Sequence, residues 1–222
     1  ITEKKVIWDY PIKPGMEEWQ QFKSEEEMFQ ACQIPDTILK RSDTESLVEI
    51  CYNFPAFMAL FFYNSPQAGF DVFYSRFNGI RELLDRKDAG CFVLKKYSSM
   101  SSSDFKSLWT SAEKGLYAFK YEYFEIILAQ PQIIQSLNTE DRKFLMKETI
   151  KKFDEKIAAS DVFGGNSLSV NAWIMVNNLN QEKKLTSKFL IQSEVDKSLK
   201  SGLLFDYDLN SIYQQAVRYV NE

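Results

Sequence analysis

Glu122 and Glu125 stand one helical turn apart inside residues 116–129, the most apolar stretch of the chain. A carboxyl group removed from water resists ionisation, so its pKa rises and it can serve as a general acid. Glycoside hydrolysis needs two carboxyl groups flanking the scissile bond, about 5 Å or more apart. Two on one helix face point the same way and would need a third carboxylate opposite them. Otherwise they line the wet edge of a bundle, or pair with Lys120 or with a cation from another helix. They are the catalytic candidates of this chain, because it contains no histidine. That absence removes Ser-His-Asp and Cys-His nucleophilic catalysis and every histidine-ligated zinc or iron site.

Chemistry without histidine can use a serine activated by lysine. Ser103 with Lys106 and Ser111 with Lys114 fit S-x-x-K, Ser169-Val170-Asn171 fits S-x-N, and Lys200-Ser201-Gly202 resembles K-T-G. Penicillin-recognising enzymes use such a set, but their third element lies on a strand beside the site. Here it closes a helix-like segment over residues 195–200, with Gly202 suited to a helix end. Asp206, Asp208 and Asn210 begin like a calcium loop, yet Ser211 and Val217 stand where Gly and Glu are required. Asp208 reads instead as the cap of a final helix. Gly164-Gly165 lacks the G-K-S/T continuation of a phosphate loop and reads as a turn. Cys32, Cys51 and Cys91 form no C-x-x-C pair and read as small buried residues. No metal or other cofactor is expected.

Tyr52, Phe54, Phe57, Phe61, Phe62, Tyr63, Phe70, Phe73, Tyr74 and Phe77 could line a carbohydrate or peptide groove. An aromatic series at this density reads first as core. With 18 Phe, 11 Tyr and 4 Trp in 222 residues the core is bulky, and a chain of this length needs no metal or disulfide to sustain it. The 27 basic and 31 acidic residues are interspersed, for a net charge of −4. The most basic stretch, residues 143–156, is interrupted by Glu148, Asp154 and Glu155, so no one-signed footprint for nucleic acid is present. No run reaches the roughly 20 apolar residues that span a bilayer. The chain opens on Ile1, which leaves room for a signal peptide or lipid anchor upstream.

Helices must position these groups. Ser24 with Glu27 and Ser42 with Glu45 have capping-box spacing, and Thr139 is a candidate cap ahead of Glu140 and Asp141. Met146, Ile150, Phe153 and Ile157 form one stripe; Leu209, Ile212, Tyr213, Ala216, Val217 and Val220 form another. Pro35, Pro55, Pro66 and Pro131 suit first turns of helices. Residues 116–129 are apolar nearly all round, which predicts a central buried helix. Residues 168–179 read as a helix capped by Ser167, although Trp173 to Val176 would also suit a short strand. Asn78-Gly79 breaks or bends a helix, and Asp88-Ala89-Gly90 starts one. Pro11, Pro14 and Gly15 set a loop that lays the N-terminal arm on the bundle. Arg81, Glu82, Asp85 and Arg86 read as i,i+4 surface pairs. Residues 1–10 and 203–207 read as irregular. The expectation is one all-α, compact multi-helix bundle over residues 1–222, with residues 98–103 as the weakest point of its continuity.

Residues 10–19 (YPIKPGMEEW), 31–35 (ACQIP), 47–55 (LVEICYNFP) and 77–90 (FNGIRELLDRKDAG) resemble a family of secreted or lipid-anchored envelope proteins of Bacteroidetes to which no activity is assigned. The resemblance covers residues 10–97. It implies a place outside the cytoplasm, periplasmic, outer-membrane-anchored or extracellular, and supplies no catalytic residues. Together these readings point to a non-catalytic binding protein with a protein or glycan partner. The alternative is a histidine-free hydrolase of glycans or peptides acting through Glu122 and Glu125.

Overall fold

The computed structural model describes residues 8–101, 110–164, 166–185 and 206–222. Among them every regular element is helical and none is a strand. The order is α1 (Glu17–Gln20), α2 (Glu25–Ala31), α3 (Asp36–Arg41), α4 (Thr44–Tyr52), a 3₁₀ segment (Phe57–Phe62), α5 (Pro66–Arg76), α6 (Asn78–Asp85), α7 (Ala89–Ser99), α8 (Ser111–Leu128), α9 (Pro131–Ser136), α10 (Thr139–Ala158), α11 (Ser160–Phe163), α12 (Asn166–Gln181) and α13 (Asp206–Asn221). The result is the expected all-α bundle.

The apolar helix is its axis. From Tyr121 to Leu128 only Glu122 of α8 is not fully buried, and the helix packs against α5, α7, α9, α11, α12 and the 3₁₀ segment. The stretch 173–176 is helical and buried on every side. A second apolar cluster forms where α10, α12 and α13 meet, around Met146, Met175, Ile212 and Ala216.

Caps fall close to the expected positions, with instructive shifts. Ser24 Oγ accepts from the Glu27 amide, and the Glu27 carboxylate reaches back to the Lys23 amide. Asp43, not Ser42, caps α4, because its carboxylate takes the Ser46 amide at 2.7 Å while Ser42 Oγ turns back to the Ile38 carbonyl. Asn138, not Thr139, caps α10. Ser167 lies inside α12 and donates to the Gly164 carbonyl. Asp208 lies within α13, whose helix already includes Asp206 and Tyr207. Pro66 and Pro131 open α5 and α9, whereas Pro35 immediately precedes α3 and Pro55 lies ahead of the 3₁₀ segment. Residues 1–7 and 203–205 lie outside the described residues.

The break at Asn78 is an exchange of bonds. Asn78 Oδ1 accepts from the Ile34 amide and Nδ2 donates to the Ile34 carbonyl, so one side chain completes the backbone of the α2–α3 turn. Arg86 pairs with Glu82 as anticipated, and its guanidinium also donates to the Leu39 and Ser42 carbonyls at the end of α3. Arg81 donates instead to the Tyr74 and Ser75 carbonyls at the end of α5, so both arginines of the cluster are bound up in helix ends. The α10 stripe runs differently from expectation: Met146 and Phe153 are buried but Ile157 is 52% exposed. The place of Ile157 is taken by Lys156, one residue earlier.

Two glycines on these helices separate close approach from mere permissiveness. A Cβ on Gly69 would lie 2.2 Å from the Leu60 carbonyl oxygen, where α5 crosses the 3₁₀ segment, while one on Gly115 meets nothing within 4 Å. Gly69→Ala should cost about 1–3 kcal/mol through forced backbone movement. Gly115→Ala should add about 0.5–1 kcal/mol through helix propensity. Urea unfolding of both variants checks the opposite signs.

Candidate functional site

The structure separates the two predicted carboxylates. Glu125 is wholly buried and forms an ion pair with Lys156 of α10, also wholly buried. Its Oε1 accepts from Tyr97 Oη of α7 at 3.0 Å and from Asn171 Nδ2 of α12 at 2.8 Å. Lys156 Nζ donates to Glu125 Oε2, approaches the Ser167 carbonyl at 3.4 Å, and sits 5.2 and 5.5 Å from the ring centres of Tyr121 and Phe163. One turn away, buried Lys152 donates to the Met100 carbonyl at 2.8 Å and reaches Glu148 at 3.4 Å. Burial lowers the Lys152 pKa, against the opposing pull of Glu148. Burial, and then the charge of Glu125, push the Tyr97 phenol well above its usual range.

Glu125 is thus engaged on both oxygens and closed off from any substrate. Glu122 is only partly buried. Desolvation raises its pKa to about 7, with Lys156 lowering it and Glu125 raising it further. The partner of Glu125 is the cation from another helix that the sequence left open. Lys120 points elsewhere, to Asn53.

A cavity of about 660 Å³ opens on a different side of the molecule, between the N-terminal arm, α4, the 3₁₀ segment and α8. Neither Glu122 nor Glu125 lines it. Its construction starts from the C-terminal carbonyls of α4, which have no partner within the helix. Tyr10 Oη donates to the Ile50 carbonyl at 3.0 Å and Tyr123 Oη to the Cys51 carbonyl at 2.9 Å. The Asn53 amide and side chain both take the Glu49 carbonyl. The Tyr10 bond draws the arm inward, and Gly15 at φ +96° turns it away again. Trp8 then stands edge-on to Tyr10, with ring centres 4.6 Å apart.

Trp8, Tyr10, Phe54 and Phe57 supply the apolar wall, with Asp9, Lys13, Ser46, Glu49, Asn53 and Lys120 as polar groups. This mix of an aromatic wall and a few polar side chains is typical of ligand pockets of some 300–1,000 Å³. Of its two carboxylates, Asp9 pairs with Lys13 and Glu49 pairs with Lys96 at 2.9 Å. The Lys13 hydrogen bond holds the Asp9 carboxyl below its ordinary value, the reverse of what a general acid requires. Of the aromatic series, Phe54, Phe57, Phe70, Phe73 and Phe77 are core, while Tyr74 is 42% and Phe62 77% exposed. Phe54 and Phe57 therefore serve both core and cavity wall.

Other motifs find no shared site. Ser111 begins α8, exposed, and Asn171 is spent on Glu125. Ser103, Lys106, residues 195–200, Ser201 and Gly202 lie outside the described residues. Cys32 and Cys51 are buried, and burial raises the Cys32 thiol to about 12, but Cys91 is exposed against expectation. Among the described residues no cluster of three metal-ligating side chains occurs, and no helix is long and apolar enough to cross a membrane. Trp8, Asp9 and Lys13 are not singled out by the sequence, and Lys120 reads there only as a partner for Glu122 or Glu125, because a cavity side chain has no period of its own. Compared with protein-family models, with curated proteins and with solved structures, the chain matches none of them.

Removing one member of a buried ion pair strands the other. Lys156→Met should therefore cost about 3–5 kcal/mol in denaturant unfolding, and adding Glu125→Gln should recover much of that loss. Glu122 gives a signed pH dependence. Its folded pKa of about 7 exceeds its ordinary 4.5, so the stability held by the protonated carboxyl is present below that ordinary value and lost as pH rises through 7. Glu122→Gln should exceed the parent in stability at pH 8 by on the order of 3 kcal/mol, with the gap closing towards pH 4.5.

Proposed function

We propose that this is a non-catalytic binding protein of the cell envelope or exterior, which holds a polar ligand in the cavity beneath its N-terminal arm. The observation that carries this reading is the cavity wall itself. An aromatic face formed by Trp8, Tyr10 and Phe57 is bordered by side chains able to donate and accept hydrogen bonds. Stacking area with a few fixed polar contacts suits reversible recognition.

The chemistry around the cavity argues against turnover. A hydrolase working through carboxylates needs an acid whose pKa is raised and which faces the substrate. Asp9 faces the cavity with its pKa lowered, while Glu122, with its pKa raised, does not line it. Placement outside the cytoplasm rests on the family resemblance of residues 10–97. The cavity's mix of aromatic and polar side chains supports a glycan, or a peptide segment of a protein, as the ligand.

Incubation with pools of oligosaccharides, cell-wall fragments and peptides, read by thermal shift and by chromatography of the supernatant, tests the proposal. A ligand at a hundred times its dissociation constant should add about 2.7 kcal/mol of apparent stability. The expected result is a shift that Trp8→Ala abolishes, with every pool component intact. Cleavage products lost in a Glu122→Gln, Glu125→Gln double variant would instead establish the hydrolase.

A further inference from the structure

The charges around the cavity do not balance, and the imbalance has one address. Asp9 is matched by Lys13 at the rim, and Glu49 by Lys96 behind the wall. Lys120 also lines the cavity, yet among the described residues it forms no ion pair and donates only to the neutral Asn53 Oδ1, at 2.9 Å. Both Lys96 and Lys120 place Nζ 4.2 Å from the centre of the Tyr52 ring. Three cations, Lys13, Lys96 and Lys120, therefore meet two anions, Asp9 and Glu49, and the surplus charge sits at Lys120. Burial and then the neighbouring charge of Lys96 disfavour the Lys120 ammonium, and Glu49, already paired with Lys96, offsets this only in part, so an anion arriving there would relieve a cost already present.

Resting on the binding reading above, we propose that the cavity takes a carboxylate-bearing sugar, a uronic acid residue of an acidic glycan, with its carboxylate on Lys120 and a ring face against Trp8. Three features favour this class. Trp8 is the half-exposed aromatic of the wall, available to the apolar face of a pyranose. Asp9, Glu49 and Asn53 present acceptors for ring hydroxyls. One lysine without an ion pair matches one carboxylate, and the C-terminal end of α4, contributing Ile50 to the same wall, opposes any anion through its dipole, a doubly charged phosphate more strongly than a singly charged carboxylate. An extended peptide is disfavoured because none of the described walls is a strand, so none offers a sheet edge for main-chain pairing.

Calorimetric titration with short oligomers of galacturonic, glucuronic and mannuronic acid, against their methyl esters and neutral counterparts, tests the assignment without altering the protein. The free acid of at least one should bind, and its ester at least about tenfold more weakly. Lys120→Gln should weaken the acid about 10- to 100-fold while leaving the weaker ester unaffected, and Trp8→Ala should weaken both. Equal binding of acid and ester, or an unaffected Lys120→Gln variant, overturns the carboxylate assignment. If neutral oligosaccharides bind and depend on Trp8, the cavity remains a ligand site and only the acid preference falls. If a peptide with a free C-terminal carboxylate binds and no sugar does, the sugar class falls. Failure of acids, neutral sugars and peptides alike removes the cavity as the binding site.

Discussion

Glu125 carries a carboxylate to the centre of the helices, where an unmatched charge would be prohibitive. Taking two ions out of water costs several kcal/mol each even after relaxation, and attraction offsets this only with good geometry and further hydrogen bonds. Lys156, Tyr97 and Asn171 supply these, each from a different helix. The pair therefore acts as a registration point. Rotation of α10 about its axis would carry Lys156 away from Glu125, and rotation of α7 or α12 would remove the donors to Oε1. The arrangement is not saturated: Tyr121 Oη, Asn171 Oδ1 and Trp173 Nε1 are buried without a hydrogen-bond partner among the described residues. Such atoms cost about 1–3 kcal/mol each, so placement of the helices, rather than net stability, is what the polar cluster best explains.

The cavity depends on the same axis from its other side. α8 holds Tyr123 against the Cys51 carbonyl and Lys120 against Asn53. α8 thus closes the C-terminal end of α4 while the Tyr10 hydroxyl closes the adjacent carbonyl. Helix-end carbonyls that must find donors draw three separate segments together, and the space between them becomes the cavity. One helix therefore serves a closed ionic core on one face and an open, mostly compensated pocket on another. Lys120 and Glu125, five residues apart, are assigned to the two by a rotation of about 140° around the helix.

Periodicity carried most of the fold. The apolar run of residues 121–129, the stripe of α13 and the turns at Asn78 and Gly15 announce themselves through burial pattern or backbone demand, whereas Leu116 and Phe119, also expected to be buried, are 52% and 40% exposed. What stayed hidden follows from one assumption, that lysine faces water. Leu145, Thr149, Lys152 and Lys156 repeat at 4, 3 and 4, the same spacing as Met146, Ile150, Phe153 and Ile157 shifted by one residue. The structure buries all four of the first set and exposes Ile157. That pattern, read beside Glu125 in an apolar helix, was the available signal for the ion pair. The cavity left no comparable trace, because Trp8, Asp9, Glu49 and Lys120 meet through tertiary packing across more than a hundred residues of chain.

The proposed function divides the molecule between a structural core at Glu125 and Lys156 and a recognition site beneath the N-terminal arm. Amide hydrogen exchange with and without the first ligand found by screening tests it most directly. New protection is expected in residues 8–14 and 46–57 and around Lys120, with α10 and α12 unchanged. Protection centred on Glu122 and Glu125, or on α10, with residues 8–14 and 46–57 unaltered, would contradict it.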